Sequence, residues 1–543
     1  MDVSDVVVVE NVRLAVDEPE EALQARVAAR LGLAPSAIQG LDVVHRSLDA
    51  RRKRDIHWTL HVTLRVVDAR ARDEALRKGL ARRPAARVKE GLDAAILDGV
   101  PRGARPLAAP PVVIGSGPGG LFAAYLLARE GYRPVVLERG PAVDRRVRVV
   151  NAFDHGGPHD PECNILFGEG GAGTFSDGKL TTRGRTPLVG LVHDLLIAAK
   201  APPEIKVTAK PHVGTDRLRA VLVFLRRELE RLGATFRFDA RADDLLLDPA
   251  DGGARGVRLH DGQELAAGAV VLAIGHSARD TYGWLRERGV AMEFKPFQVG
   301  LRIEHPQALI DGAQYGALAG KLPVAEYVLN DKRQGVFSFC MCPGGTLMAS
   351  VSEAGHLCTN GMSRRKRDSG RANSGIVFTV GAELVPGGGR DPLGGIALQR
   401  LYERRAYELG ADDYALPAQR VPDFIRGRRS KGALESSYPR ALVRADLREV
   451  IPPEVARAMQ RSLEHFDRQL PGYASEAGLL VGPESRGSSP VRIPRDDATR
   501  ASTSTPRLYP VGEGAGYAGG IMSAAIDGLR SAAALVEAFA PAS

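Results

Sequence analysis

Residues 111–122, Pro-Val-Val-Ile-Gly-Ser-Gly-Pro-Gly-Gly-Leu-Phe, constrain the fold of this chain more than any other stretch. An apolar β-branched run ends at Ile114. Gly115, Gly117 and Gly120 follow in the G-x-G-x-x-G spacing that opens a dinucleotide-binding strand–turn–helix unit. Gly115 allows the tight turn, Gly117 lets the backbone approach a pyrophosphate, and Gly120 lets the helix pack on the strand. The helix is predicted over Leu121 to Glu130, stopping at Gly131, with its N-terminal amides aimed at phosphate oxygens. A second strand, Arg133 to Gly140, carries Glu138 at roughly the 20-residue offset expected of a carboxylate that holds ribose hydroxyls. That acid argues against a 2′-phosphorylated nucleotide, which leaves FAD or NAD.

Glycine spacing alone is weak in a chain with 61 glycines among 543 residues, so the strand before it, the terminated helix and the acid carry the specificity. This length accommodates roughly two to four domains. With 44% hydrophobic and 26% charged residues the chain is expected to fold rather than stay disordered. A net charge of +9 is mild at this length; it suits an anionic ligand, or less strongly a nucleic acid, and identifies no partner. Cys163, Cys340, Cys342 and Cys358 form neither a secretory disulfide framework nor a zinc pattern, so a reducing compartment and no metal site are expected. The acidic start, Met-Asp-Val-Ser-Asp, is unlike a signal peptide, and no apolar run reaches about 18 residues. The expectation is a cytoplasmic protein with no membrane span.

Residues 1–105 read as a separate small domain. Strands are predicted at Val6 to Val16, Ile38 to Ser47 and Asp55 to Val67, and helices at Pro19 to Leu33 and Ala71 to Leu80. A last strand is expected near Arg87, and the order β-α-β-β-α-β fits a ferredoxin-like sandwich. The basic turn Asp49 to Asp55 is a solvated hairpin tip or an anion or RNA contact, and Pro101 to Pro111 serves as a linker.

The stretch Asn164 to Leu180 holds too many glycines for a regular element. Phe167 and Phe175, with Ser176, Asp177 and Lys179, favour backbone wrapped round a ligand over a flexible loop. Thr215 to Leu232 is an amphipathic helix with Leu218, Val221, Leu225 and Leu229 on its apolar face. Ala234 to Phe238, Ala242 to Leu247 and Gly256 to Leu259 read as short strands of a β-meander. Gly268 to Gly275 brings a buried, parallel-type strand to the carboxyl edge of the sheet, with His276 just beyond it as a structural residue or a base. Residues 281–495, with strands at Phe297 to Ile303 and Gly335 to Cys342, are expected to form an inserted substrate-side domain. Pro386-Gly-Gly-Gly-Arg-Asp lacks a strand before it and is not a second nucleotide site. Ser363 to Asp368 and Arg426 to Lys431 read as solvated charge runs. The strand Arg507 to Val511 enters glycines and then a helix, Ile521 to Phe539, whose positive end suits charge on a reduced flavin.

Together Gly115-x-Gly117-x-x-Gly120 with Glu138-Arg139-Gly140, the strand ending Ala273-Ile-Gly275, and Val511-Gly-Glu-Gly-Ala-Gly516 resemble the three FAD contacts of glutathione-reductase-type flavoproteins. Residues 167–180, 273–281, Gly300 to His305 and Phe339 to Gly345 look like the bacterial FAD-dependent dehydrogenases of unassigned substrate, and the likeness runs along nearly the whole chain. The resemblance implies an α/β fold in three parts. These are a Rossmann-like FAD-binding domain (111–280 and 496–543), an inserted α+β substrate domain (281–495) and the small leading domain (1–105). It implies non-covalent FAD. Gly115, Gly117, Pro118, Gly119 and Gly120 take the pyrophosphate and Glu138 with Arg139 the adenosine ribose side. Gly168, Gly170, Gly171, Thr174, Ser176, Asp177, Gly178, Lys179 and Leu180 surround the flavin and ribityl chain. Ala273, Gly275 and His276 line the edge, and Gly512, Glu513, Gly514, Ala518, Gly519, Gly520 and Ile521 take the ring edge. There is no second G-x-G-x-x-G unit, so NAD(P)H is expected only as a transient donor beside the substrate or a protein partner.

Hydride transfer between flavin N5 and a small organic substrate is the expected chemistry. Arg302, Glu304 and His305, at a predicted strand end, are candidates to clamp a carboxylate and pass a proton, with a surface ion pair as the alternative. Arg486 and Arg492 are similar candidates. Cys340 and Cys342 raise a dithiol relay, set against the expectation that the two side chains point apart and that the ring is strained; packing or one substrate-facing thiol is favoured. RNA modification and a structural FAD are the rival functions.

Overall fold

The computed structural model describes residues 5–84, 91–182, 184 and 186–543. At its start β1 (Val6–Ala15), α1 (Ala22–Leu31), β2 (Ile38–Asp49), β3 (His57–Val66) and α2 (Ala69–Arg77) build an antiparallel sheet of order β1-β3-β2. Apolar residues of β1 change phase, from Val7 and Val9 to Val12 and Leu14, because a bulge falls between Val9 and Val12. Both sets thereby reach one core with Leu60, Val62 and Leu64 of β3 and Val27 of α1. α1 is shorter than its predicted Pro19–Leu33 span, since Gly32 at φ 71 ends it. Val8 bridges Arg82 on the outer side of β1; the strand expected near Arg87 lies outside the described residues.

After α3 (Leu92–Asp98) the expected linker is docked: Gly103 and Leu107 donate to Val536 and Ala540 near the end of the chain, at 2.9 and 3.0 Å. β4 (Val112–Ile114) leads into α4 (Pro118–Arg129), which begins three residues earlier than predicted because Pro118 at the first helical position already has a helical φ and no amide hydrogen to leave unpaired. β5 (Val135–Leu137), α5 (Val143–Asp154), α6 (Leu188–Ala198) and α7 (Thr215–Arg231) follow. The next strand, β6 (Thr235–Arg237), does not start the meander as predicted. It pairs in parallel with β5, Val136 opposite Phe236, because the helices between them carry the chain back across the sheet. The meander is β7 (Ala242–Leu247), β8 (Ala254–Leu259) and β9 (Glu264–Ala266), after which β10 (Val270–Leu272) rejoins the parallel sheet beside β4.

From α8 (Arg279–Glu287) and β11 (Glu293–Phe294) the chain enters a second, mixed sheet. In chain order its elements are β12 (Phe297–Pro306), α9 (Gln307–Tyr315), β13 (Asn330–Asp331) and β14 (Val336–Cys342), then the hairpin β15 (Gly345–Ala349) and β16 (Thr359–Ser363), and then β17 (Arg371–Val380) and α10 (Gly394–Leu409). β18 (Leu416–Arg420), α11 (Val421–Ile425), β19 (Leu442–Arg444), α12 (Pro453–Gln469) and β20 (Leu479–Glu484) complete it. The strand order is β13-β14-β17-β12-β20-β18-β19, with β12 at the centre and almost wholly buried. Met459, Leu463 and Phe466 of α12 close its core.

β21 (Val491–Arg492) pairs with β11, and β22 (Leu508–Pro510) then returns to the first sheet, completing the parallel order β22-β10-β4-β5-β6. α13 (Ile521–Ala538) packs along α4. Among the described residues no helix is long and apolar enough to cross a membrane, and no group of His, Cys, Asp or Glu is arranged to hold a metal.

Candidate functional site

The carboxyl ends of β4, β10 and β22 deliver glycine-rich backbone to one place. A Cβ on Gly115 would stand 2.3 Å from the Ala273 carbonyl oxygen, and one on Gly120 only 1.9 Å from that of Gly115. A Cβ on Gly119 would stand 3.1 Å from Val511 Cγ1, and one on Gly514 only 2.5 Å from the Gly275 carbonyl oxygen. The loop after α5 joins them: a Cβ on Gly171 would meet the Cα of Gly117 at 3.2 Å, and one on Gly173 would lie 3.7 Å from both Pro118 Cγ and Ile521 Cγ1. Four segments far apart in sequence thus share one edge. Beside Gly117, Gly275, Gly519 and Gly520 the space is open, and the amino-terminal ends of α4 and α13 border it.

Glu138 ties three of these segments together. Its buried carboxylate accepts from the Ser116 amide (3.1 Å) and hydroxyl (2.6 Å) through one oxygen, and from the Gly140 (3.1 Å) and Gly168 (3.0 Å) amides through the other. The Ser116 hydroxyl also accepts from Gly170. A ribose hydroxyl reaching Glu138 therefore competes with Ser116, whose Oγ is the one donor of the four free to rotate away. Arg139 turns outward to Glu162 (2.6 Å) and Asp280 (2.9 Å), its guanidinium 4.2 Å from the Phe167 ring centroid.

The loop itself is held from beneath by Arg146, a residue the sequence reading passed over. Its guanidinium donates to the carbonyls of Asn164 (2.9 Å), Glu169 (2.7 Å) and Gly171 (2.8 Å) and to Thr174 Oγ1 (2.9 Å). Burial lowers its pKa to about 10, and Nη2 has no partner among the described residues. A signal was present: Arg146 shares the buried face of α5 with Val143, Val150 and Phe153, and a cation on an apolar stripe calls for partners in the interior. Thr174 donates to Glu169 at 2.7 Å and Ser176 to Gly173 at 2.7 Å; the Gly178 amide donates to Ser176, and Leu180 is buried.

Farther along, Asp177 accepts from Ser363 and lies 3.5 Å from Lys179 and 3.4 Å from Arg367. Arg367 also pairs with Glu326 at 2.8 Å. The run Ser363–Asp368 is therefore not simply a solvated loop: its first residue is buried and Arg367 docks on the site. Lys179 donates to the carbonyl of Met341, between the two cysteines of β14. Those cysteines correct the expectation that they point apart. Residues two apart in a strand share a face, and here the Cys342 thiol turns back onto Cys340 and donates to its carbonyl at 3.4 Å.

In the last segment the Gly512 amide donates to Asp527 at 2.7 Å, and Arg495 grips the same carboxylate at 2.6 and 3.0 Å, fixing the loop to α13. Glu513 is half-buried and burial pushes its carboxyl up to about 7. His276 Nε2 is 3.9 Å away, too far for a hydrogen bond. Burial, with Arg486 and Arg279 nearby, pulls its pKa down to about 3, so it is neutral and forms no ion pair. Ala518 sits half-buried beside the exposed Gly519 and Gly520.

Arg302, Glu304 and His305 stand near the end of a strand, as expected, but not at the surface. β12 runs on to Pro306, and all three are enclosed in the mixed sheet. Arg302 bonds Glu484 (2.8 Å), Asn373 (2.7 Å) and Asn360 (3.2 Å); Glu304 accepts from Ser437; His305 bonds the Tyr473 carbonyl at 2.8 Å, and burial lowers its pKa to about 4. Neither a substrate clamp nor a surface ion pair describes them. Arg486 and Arg279 both close on the fully buried Glu403, at 2.8 and 2.7 Å, and Arg492 lies over the Tyr517 ring.

A parallel sheet whose glycine edges and two helix ends border one open space defines a dinucleotide-binding fold of Rossmann type. The chain matches the family model "FAD-dependent protein, C-terminal domain-like" over residues 296–487. It also matches a NAD(P)-binding Rossmann-like domain over residues 113–168 and a domain of unknown function over residues 9–66. An uncharacterized protein of Clostridium beijerinckii is 40% identical over 544 residues, covering 98% of both chains. The chain belongs to one family with this Clostridium protein, and its residues 296–487 carry the domain described as that of an FAD-dependent protein. Solved structures matched include PqsL of P. aeruginosa in complex with 2-aminobenzoylacetate, at 14% identity, 79% and 85% of the two chains and a TM-score of 0.31. Glycine oxidase from Geobacillus kaustophilus matches at 11% identity, 79% and 92% and 0.30. Similarity at that level carries no argument about this chain.

Proposed function

We propose that FAD lies extended along the shared glycine edge and that the protein is a dehydrogenase acting on a small organic substrate admitted from the side of the mixed sheet. The observation that carries this reading is the convergence of residues 115–120, 168–180, 273–276 and 512–521 on one open cleft. Bound there, FAD supplies two-electron chemistry by exchanging a hydride at flavin N5. The chain's part is to bind and orient. Gly117 and Pro118 present backbone and a helix end to the pyrophosphate, Glu138 takes the ribose in exchange for the Ser116 hydroxyl, and Arg146 keeps residues 164–174 folded around the ligand. Glu513 is our candidate to hold and release a proton near neutral pH, with the neutral His276 beside it. Lys179 and the amino-terminal end of α13 favour negative charge nearby. With no second glycine fingerprint, electrons come from the substrate, a transient nicotinamide or a protein donor. Four free cysteines suit a cytoplasmic setting.

The test is to purify the protein, record its absorption spectrum, and screen anaerobically for compounds that bleach the flavin. Colourless protein that stays colourless after incubation with FAD would refute the reading.

A further inference from the structure

β14 loses its register where its cysteines begin. Phe339 pairs with Gly375 and Cys342 with Asn373, so three steps along β14 span two along β17. The extra residue makes a bulge, and Cys340 in it has φ 46, a left-handed conformation that a residue other than Gly, Asn or Asp rarely takes. The distortion changes what the pair can do. In a regular strand, two residues i and i+2 lie about 6.6 Å apart at roughly 3.3 Å of rise each. A disulfide needs Cβ atoms about 3.8 Å apart. Compressed by the bulge, Cys342 Sγ reaches the backbone of Cys340 and donates to its carbonyl at 3.4 Å. Cys340 is partly buried, whereas Cys342 is buried.

The surroundings favour a thiolate at the less buried position. Lys179 holds the carbonyl of the intervening Met341, and Arg302 lies behind the strand, bonded to the Asn373 that faces Cys342 in the ladder. The adjoining Cys342 thiol, with Lys179 and Arg302, holds the Cys340 thiol below the usual thiol range against burial, and the Cys342 thiol is pushed up. One sulfur is thus suited to attack and the other to resolve, which is the division of labour in a dithiol couple. Cys163 and Cys358 are buried with raised pKa values of about 11 and lack such a partner among the described residues.

We propose that Cys340 and Cys342 form a reversible dithiol–disulfide couple on the Lys179 wall of the cofactor cleft, oxidised by low-molecular-weight disulfides. Cys340 sulfur attacks one sulfur of the disulfide, forming a mixed disulfide and expelling one thiolate. Cys342, losing its proton to solvent, then attacks the Cys340 sulfur and expels the second. The protein dithiol gives up two electrons and two protons, and the small disulfide becomes two thiols. An eleven-membered ring closed at a bulge is strained, so the bond is readily reversed by a dithiol.

The full-length protein is exposed to oxidised glutathione, denatured in an alkylating agent, digested and weighed by mass spectrometry. The expected peptide holds Cys340 and Cys342 unalkylated and two hydrogens lighter, reverts with dithiothreitol, and appears while Cys163 and Cys358 are alkylated as thiols. In Cys342→Ser the glutathione adduct is expected to remain on Cys340; in Cys340→Ser no adduct forms on Cys342. Wild-type protein that alkylates at both positions, or retains the mixed disulfide, overturns the couple, and the reverse pattern in the variants overturns the order of attack. Repeating the wild-type measurement in Gly117→Ala separates this inference from the FAD reading, since the bond is expected to form whether or not the flavin is bound.

Discussion

Gly117 and Gly120 sit three residues apart in one fingerprint, yet alanine should act on them in opposite ways. Gly117 has φ −68 and ψ 178, extended backbone that any residue adopts, and a Cβ there meets nothing within 4 Å. As a helix-capping position it prefers glycine to alanine by about 0.5–1 kcal/mol. The loss of glycine freedom in the unfolded chain returns about 0.4–1 kcal/mol. Stability of the FAD-free Gly117→Ala protein should therefore change by less than about 1 kcal/mol. The new methyl occupies the space that a pyrophosphate must approach, and overpacking of about 1–3 kcal/mol weakens FAD roughly 5- to 150-fold. At Gly120 the methyl would lie 1.9 Å from the Gly115 oxygen and 3.3 Å from Ala273 Cβ, against backbone that cannot turn aside. Gly120→Ala should destabilise even the FAD-free protein, by at least about 3 kcal/mol, at the upper end of overpacking costs. Thermal unfolding of FAD-free protein and fluorescence titration with FAD separate the two effects. Wild-type FAD affinity in Gly117→Ala, or an unchanged melting temperature in Gly120→Ala, would refute the reasoning.

Three further outcomes are expected. Burial alone would raise the pKa of Glu403, but Arg279 and Arg486 hold its carboxyl far below the ordinary range; Glu403→Gln leaves both guanidinium groups underpaired in the interior and should cost about 3–5 kcal/mol in denaturant unfolding. His305 titrates near 4 in the fold against about 6.5 unfolded, so its contribution is complete above pH 6.5 and is lost as the pH falls toward 4. That loss amounts to about 3 kcal/mol, and His305→Gln should flatten the acid limb of the stability curve. Glu513, with its carboxyl near 7, should produce an inflection near neutral pH in kcat/KM once a substrate is found, and Glu513→Gln should remove the inflection while FAD remains bound.

What the sequence made legible was local. The three glycines with Glu138, the apolar face of α7 and the phase of β3 are written in spacing, since helices and strands repeat within a few residues. What it hid depends on pairings across long separations: Glu138 on Gly168, Arg146 under residues 164–174, Arg302 on Glu484 and Glu403 between Arg279 and Arg486. Each joins a charge to an element whose position is fixed only when the sheets assemble. Arg302, Glu304 and His305 show the cost most clearly. Read locally they are three polar groups where an apolar run gives out, and polarity there suggests a surface. In the fold β12 is the central strand, and the same polarity is tolerated because β17, β20 and the 430s supply partners. The cysteines invert that error. Strand geometry keeps residues two apart from bonding, and only the non-local register against β17, where β14 gains a residue at Cys340, turns the Cys342 sulfur back onto Cys340. Chemistry in this protein is therefore decided by where strands fall out of step, and local composition cannot report a step that exists only in a pair.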